Sequence, residues 1–253
     1  MLKAVRDAVR SLIGKFGYDI VNLRKDENTS RFLPQHLRRQ FAKLGINCVI
    51  DVGANCGQYA SMLRDVGYCG RIVSIEPLPE LCAGLQECAA TDPEWRIINM
   101  ALGEREEVLP FNVLNATDLS SLLAPKQDIG RIVPRSEVAK VIDVQVTTLD
   151  KLLPQVIAGL PEPRIFLKMD TQGYDLHVVR GGLQSLKRIC LIQSELSIIP
   201  LYEAMPNYVQ ALQTFNECGF IPSGFFSVYK EVETGLNVEY DVVLTRRAPS
   251  DSM

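Results

Sequence analysis

The stretch Val49-Ile50-Asp51-Val52-Gly53-Ala54-Asn55-Cys56-Gly57 constrains this chain more than any other, because an apolar strand runs straight into a turn punctuated by glycine. Glycine lets the backbone approach a ligand closely or take positive φ, and asparagine is among the few other residues that tolerate the left-handed region. Gly53, Asn55 and Gly57 therefore read as a tight strand-to-helix crossing of the kind that cradles a nucleotide cofactor. A dinucleotide loop requires G-x-G-x-x-G. Here the spacing is Asp51-x-Gly53-x-Asn55-x-Gly57, with Gln58 where a third glycine would be needed.

That spacing fits the acid-x-Gly-x-Gly-x-Gly loop of S-adenosylmethionine enzymes, with Asn55 for the middle glycine. The chemistry agrees: a pyrophosphate is held on a bare helix N-terminus, whereas the amino-acid end of S-adenosylmethionine carries an ammonium that a carboxylate such as Asp51 can meet, directly or through water. A second acid, Glu76, closes the next apolar run, Arg71 to Pro77. An acid about 20 residues beyond such a loop is placed to accept ribose hydroxyls. Singly, the first acid reads as a capping turn and the second as a helix cap; together they point to a cofactor site.

At 253 residues and 47% hydrophobic, the chain can bury a full core. We expect one catalytic domain over residues 46–247, preceded by a helical extension over 1–45 and interrupted by an insertion at about 104–147. A net charge of −3 gives no electrostatic footprint for nucleic acid, and the cluster Arg31, His36, Arg38, Arg39 and Lys43 reads as a solvated helix face. Seven cysteines without C-x-x-C, with Cys48, Cys56 and Cys190 in apolar strand or turn contexts, predict small core residues in a reducing compartment, no disulfides and no zinc. No apolar run approaches the ~18 residues of a membrane span, and the N-terminus lacks a secretory pattern, so a cytoplasmic protein is expected. Leu2, Val5, Val9, Leu12, Ile13 and Phe16 lie at helical spacing with basic residues on the remaining arc. Such a helix suits either peripheral contact with a membrane surface or docking on its own domain or a second subunit, docking being the commoner use.

Strands and helices then alternate, which predicts a mainly parallel sheet covered on both faces. The expected order is a helix over about 34–43, strand 48–53, helix 57–66, strand 71–76, helix 79–90 and strand 95–101. Within the insertion come strands near 108–113 and 141–147; strand 164–170, helix 175–187, strand 189–195 and helix 207–218 follow. Runs at 220–229 and 240–245, joined by Glu-Thr-Gly-Leu-Asn, predict a closing antiparallel hairpin. The fold class is thus α/β, a Rossmann-like, mostly parallel seven-stranded sheet with a C-terminal antiparallel hairpin and helices on both faces, as in class I methyltransferases.

Several segments resemble the FkbM-type methyltransferase family over roughly residues 48–222: Ile50 to Gly57, Glu76-Pro77, Asn99 to Gly103, Ser120-Ser121-Leu122, Val146 to Asp150, Leu167-Lys168-Met169-Asp170-Thr171-Gln172-Gly173-Tyr174-Asp175, and Glu195 with Pro200-Leu201-Tyr202. The resemblance implies an S-adenosylmethionine-dependent enzyme that methylates a hydroxyl, typically of a sugar, glycolipid or polyketide-type product. This chain departs from the family's pattern at Cys56 and Asp175, without loss of a needed charge.

Methyl transfer to oxygen is an in-line displacement that requires positioned reactants and a proton acceptor for the alcohol. Ligands of doubly wound folds sit at the carboxyl ends of the strands. Asp170, a strand-final acid before a Gln-Gly turn, is the first choice of base; it could equally cap the next helix or tether the cofactor's amino group. Glu195, ending the adjacent strand, is the second choice, or an acceptor for a substrate hydroxyl. His177 titrates in the right range but lies in a helix, where a solvent-facing histidine is the usual explanation. Asp51, Gly53, Asn55, Gly57 and Glu76 should hold the cofactor, with Met100 and Ala101 against adenine unless Met100 serves core packing. Asp170, Glu195 and Gln172 have oxygens hard enough for a divalent ion such as magnesium, but without a dense acidic motif a metal-independent reaction is expected. Ser120, Ser121, Gln172 and Tyr202 are candidate contacts to the acceptor, a small molecule or glycolipid, and specificity is expected in 114–140, 197–207 and 225–240. A nicotinamide-dependent oxidoreductase lacks its fingerprint and a Tyr-x-x-x-Lys pair here, and a hydrolase lacks G-x-S-x-G. A methyltransferase-fold binding module without catalysis would not need both Asp170 and Glu195.

Overall fold

The computed structural model describes residues 32–231 and 234–247. The amphipathic stretch over residues 2–16 lies outside them. Helix α1 (Leu33–Leu44) leads into strand β1 (Cys48–Val52), α2 (Gln58–Asp65), β2 (Arg71–Ile75), α3 (Pro79–Ala89) and β3 (Trp95–Ile98). The insertion contributes β4 (Ala101–Leu102), β5 (Glu107–Leu114), a 3-10 turn (Thr117–Leu119), α4 (Ile129–Ile132) and β6 (Val138–Thr147). After α5 (Leu149–Val156) come β7 (Ile165–Met169), α6 (Asp175–Arg180), β8 (Ile189–Ser197), α7 (Tyr208–Glu217), β9 (Phe220–Lys230) and β10 (Asn237–Arg246).

The main sheet has seven strands in the order β3-β2-β1-β7-β8-β10-β9. Its first five strands are parallel, and β10 and β9 complete it as the antiparallel hairpin that the sequence predicts. Strands β1, β2 and β7 are buried at every position, as expected of strands covered on both faces. On one face Ile50, Val73, Leu167, Ile192 and Val242 pack with Leu152, Val178 and Phe215 of α5, α6 and α7. On the other, Val49, Ile72, Phe166, Leu191 and Val243 pack with α2, α3 and α1. Leu37 and Phe41 of α1 are buried there, the Phe41 ring 5.0 Å from that of Phe166, so α1 is part of the domain's core although it falls in the expected extension. Each such fully buried aliphatic or aromatic side chain contributes about 1.5–3 kcal/mol.

Three expectations change. The strand expected over 95–101 breaks after Ile98, because the Asn99 side chain donates to the carbonyls of Glu76 (2.9 Å) and Pro77 (3.0 Å) and turns the chain away. Ala101 and Leu102 then pair in parallel with Val146 and Thr147 in a separate three-stranded sheet, β4-β6-β5, which is the body of the insertion. The helix expected over 175–187 stops at Arg180, where a Cβ on Gly181 would meet the Gly103 carbonyl oxygen at 1.9 Å; the insertion and α6 touch backbone to backbone. Cys56 is exposed rather than a core residue, while Cys48 is buried and none of the seven cysteines is paired.

An equally close approach occurs at Gly53. It has φ +77°, and a Cβ there would lie 1.9 Å from the Asp170 carbonyl oxygen, so the loops after β1 and β7 are in backbone contact. Gly53→Ala should therefore cost at least about 3 kcal/mol of stability. Gly84, inside α3 with nothing within 4 Å, should by contrast gain about 0.5–1 kcal/mol as Gly84→Ala. Urea midpoints of the two variants against the parent check both signs.

Candidate active site

The glycine turn after β1, the ends of β2 and β7, and the insertion line an open cleft. Val52, Gly53, Asn55 and Gln58 form its floor, Glu76 and Pro77 one side, and Asp170, Thr171 and Tyr174 the other. Met100, Ala101, Leu102, Phe111 and Leu122 make an apolar wall, and Thr117, Asp118 and Ser120 of the 3-10 turn edge it. The insertion thus closes over the glycine loop, and Phe111, Leu122, Thr117 and Asp118 are site residues that strand patterning does not reveal.

Glu76 is buried, and its carboxylate latches the loop: one oxygen accepts the Asn55 N–H (2.8 Å), the other the Leu78 N–H (3.0 Å). Each carboxylate oxygen keeps a further lone pair for a ligand hydroxyl. Burial raises its pKa, against the two backbone hydrogen bonds. Asn55 has φ +48°, as a left-handed position in the turn requires. Gly57 does not line the cleft. It begins α2 at φ +83°, where a Cβ would meet Leu85 at 2.7 Å and Trp95 at 3.1 Å, so packing explains it.

Asp51 does not line the cleft either. It is fully buried beneath the loop, in register with Ser74 of β2 and Lys168 of β7. Its Oδ1 stands 3.0 Å from the Lys168 ammonium, and its Oδ2 takes only a long bond from the Ser74 hydroxyl at 3.4 Å. Lys168, which sequence reading quotes without a role, also reaches Asp170 Oδ2 at 3.4 Å and the Gly53 carbonyl at 3.2 Å. Burial disfavours its ammonium, but Asp51 and Asp170 outweigh that and raise its pKa above the usual lysine value. Of the two carboxylates that pair with Lys168, Asp51 is fully buried and Asp170, whose side chain is 38% exposed, lines the cleft.

Gln172 joins the two candidate bases. Its amide nitrogen donates to Asp170 Oδ1 at 3.0 Å and to Glu195 Oε2 at 2.9 Å, while its amide oxygen lies 3.0 Å from the Tyr202 hydroxyl. That hydroxyl also reaches the Leu119 carbonyl at 2.6 Å, in the turn that edges the cleft. Gln172 and Tyr202 are buried and therefore brace the site, while the Ser121 hydroxyl, fully buried, donates to the Gln172 carbonyl at 2.8 Å and pins the insertion to the same loop. Ser120 lines the cleft with its hydroxyl accepting the Leu114 N–H. His177 stands apart from this group: its ring stacks on Tyr174 at 4.0 Å and its Nδ1 lies 2.8 Å from Glu104. Among the described residues no group of His, Cys, Asp or Glu is arranged to hold a metal ion.

Behind Glu195 lies an acid cluster that alternation alone does not disclose. Asp241 is directly opposite Glu195 across β8 and β10, and Glu239 opposite Ser197, whose hydroxyl donates to it at 2.9 Å. Gln193 donates to Asp241 at 2.9 Å and accepts from Tyr59 at 2.6 Å. Burial, then the neighbouring carboxylates, push Asp241 up to about 7 and Glu239, also held by Ser197, likewise to about 7; Glu195 is raised well above the usual range by burial and by Glu239. The folded protein therefore holds protons that the unfolded chain releases between the ordinary carboxylate range and about 7. Stability should fall as pH rises through that window. Asp241→Asn removes one such proton and keeps the Gln193 hydrogen bond; it should flatten the fall and stabilise the protein by on the order of 1–3 kcal/mol more near pH 8 than near pH 5, as read from urea unfolding at both.

A search of curated proteins finds no match. Among solved structures, the chain is similar to Methyltransferase FkbM from Methylobacillus flagellatus KT, with 17% identity and a TM-score of 0.45, over 78% of this chain and 43% of that one. It is similar also to a precorrin-6y C5,15-methyltransferase from Geobacter metallireducens GS-15 (11% identity, TM-score 0.43, 83% of this chain and 87% of that one). A third is Aeropyrum pernix fibrillarin with natively bound S-adenosyl-L-methionine (10% identity, TM-score 0.43, 83% and 74%). The chain spans less than half of the first of these. The family model of the Methyltransferase FkbM domain matches residues 51–222, more than half of the sequence, and by that match the chain belongs to this S-adenosylmethionine-dependent methyltransferase family.

Proposed function

We propose that the protein transfers a methyl group from S-adenosylmethionine to a hydroxyl of a sugar, glycolipid or secondary metabolite. The observation that carries this reading is the Asp170 carboxylate: it opens on the cleft in contact with the glycine loop, and both its oxygens are oriented by Lys168 and Gln172. The residues present fit the cofactor. Glu76 has acceptor capacity for ribose hydroxyls, and Met100, Ala101, Phe111 and Leu122 offer apolar surface to a flat base. When bound, S-adenosylmethionine supplies a methyl group on a sulfonium whose leaving group needs no further activation.

The chain's own part is to position and to take a proton. Asp170 Oδ accepts the proton of the acceptor hydroxyl as the oxygen attacks, and Gln172 keeps the carboxylate aimed. Glu195, protonated more readily because it is buried beside Glu239 and Asp241, serves as a hydrogen-bonding partner rather than as the base. The insertion excludes water from the cleft by packing Phe111 and Leu122 over it. A small-molecule or glycolipid acceptor accords with the net charge of −3, which offers no attraction to nucleic acid. The seven unpaired thiols support a cytoplasmic setting. The basic amphipathic stretch over 2–16 supports peripheral contact with a membrane that carries a lipid-linked acceptor.

Calorimetry with S-adenosylmethionine, S-adenosylhomocysteine and NADH tests the reading. Adenosyl ligands should bind and NADH should not; NADH binding alone would replace the methyltransferase with an oxidoreductase. Glu76→Ala should weaken S-adenosylhomocysteine at least about tenfold, or 1.4 kcal/mol. On a glycosylated acceptor found by screening with labelled S-adenosylmethionine, Asp170→Asn should lower kcat by about 10²–10⁴-fold. Turnover on a protein or nucleic acid in place of every glycosylated acceptor would sink the acceptor assignment.

A further inference from the structure

Lys168 carries more contacts than neutralisation of Asp51 requires. An ammonium has three hydrogens and no acceptor capacity. Three oxygens surround this one: Asp51 Oδ1 at 3.0 Å, the Gly53 carbonyl at 3.2 Å and Asp170 Oδ2 at 3.4 Å. The Tyr59 ring closes the fourth side, its centre 5.1 Å from the nitrogen. Asp51 lies below the site, whereas Gly53 and Asp170 both line the cleft, one on each of two loops that meet backbone to backbone.

A buried pair kept for charge balance alone is replaceable by apolar side chains at little cost, and is often improved by the exchange. One hydrogen goes to the Gly53 carbonyl and the charge stands close to Asp170 Oδ2, so two of its three oxygen neighbours belong to the wall of a binding site. We propose that Lys168 is a positioning residue for the cofactor's amino-acid end: from beneath the floor it holds the Gly53 carbonyl toward that end and keeps the Asp170 carboxylate at a fixed distance on the acceptor side, while Asp51 balances its charge from below. The proposal rests on the S-adenosylmethionine reading of the cleft. It gives the first acid of the glycine motif a task one step removed from the ligand.

Two roles for Lys168 separate when the charge problem is removed along with the lysine. Lys168→Met alone strands Asp51 and is expected to lower Tm sharply. Lys168→Met with Asp51→Asn should recover most of that Tm, and the pair is then titrated with two probes by calorimetry. S-adenosylhomocysteine carries the amino-acid end, and methylthioadenosine lacks it. The expected result is at least about a tenfold loss for S-adenosylhomocysteine, the size of one charge-assisted contact, with methylthioadenosine changed by less than about threefold. Asp51→Asn alone, which leaves Lys168 facing Gly53 and Asp170, should keep S-adenosylhomocysteine affinity within about threefold of the parent even where Tm falls. Parental affinity in the double variant would overturn the proposal, as would equal loss of both probes, or loss in Asp51→Asn as large as in the double variant. If the parent binds neither probe, the cofactor reading of the cleft itself fails, a result distinct from these.

Discussion

A lysine ammonium taken out of water costs several kcal/mol unless its charge is compensated, and the Lys168 site compensates it by drawing three chain segments to one point. Strand β1 brings Asp51, the glycine turn brings the Gly53 carbonyl, and the end of β7 brings Asp170. The same two loops are forced together by the absence of a side chain at Gly53. A single cluster thereby sets the spacing between the cofactor loop and the carboxylate proposed as base. The rest of the site is arranged around that spacing.

The insertion depends on it as well. Its small sheet packs Phe111, Val113, Val144 and Val146 with Leu78 and Ala101 into a core of its own, but three tethers decide where it sits. Ser121 holds the Gln172 carbonyl, the Tyr202 hydroxyl bridges Leu119 and the Gln172 amide, and Gly181 admits the Gly103 carbonyl. Two of the three end on the loop after Asp170. The wall over the cleft and the clamp on the acids are therefore one construction, in which the side chain of Gln172 holds Asp170 and Glu195 while its backbone holds the insertion.

The charge distribution around this loop is lopsided. Glu195, Glu239 and Asp241 stand on one face with Lys168 as a neighbouring cation, and direct cross-strand placement of Glu195 against Asp241 is unfavourable when both are ionised. Such crowding is resolved by retained protons, whereas Asp170 lies apart from the cluster's interior, partly open to the cleft. Environment thus gives different tasks to acids that the sequence presents as equivalents.

The sequence by itself determined the architecture, because hydrophobic period and turn chemistry are local. Runs such as Ile165-Phe166-Leu167 are apolar on both faces and require a covered parallel strand, and the Gly53-x-Asn55-x-Gly57 turn permits one kind of crossing. The cleft's Glu76, Asn55, Met100 and Ala101 were legible for the same reason: each follows a strand end, where this class of sheet binds its ligands. What only the tertiary structure decided was which polar residues meet. That Asp51 faces Lys168 and not the ligand, that Gln172 and Tyr202 brace rather than line the site, that His177 pairs with Glu104, and that Asp241 stands opposite Glu195 all follow from strand register and from where the insertion docks. Register and docking are settled by packing across the sheet between residues distant in the chain, and no pattern within a single segment encodes them.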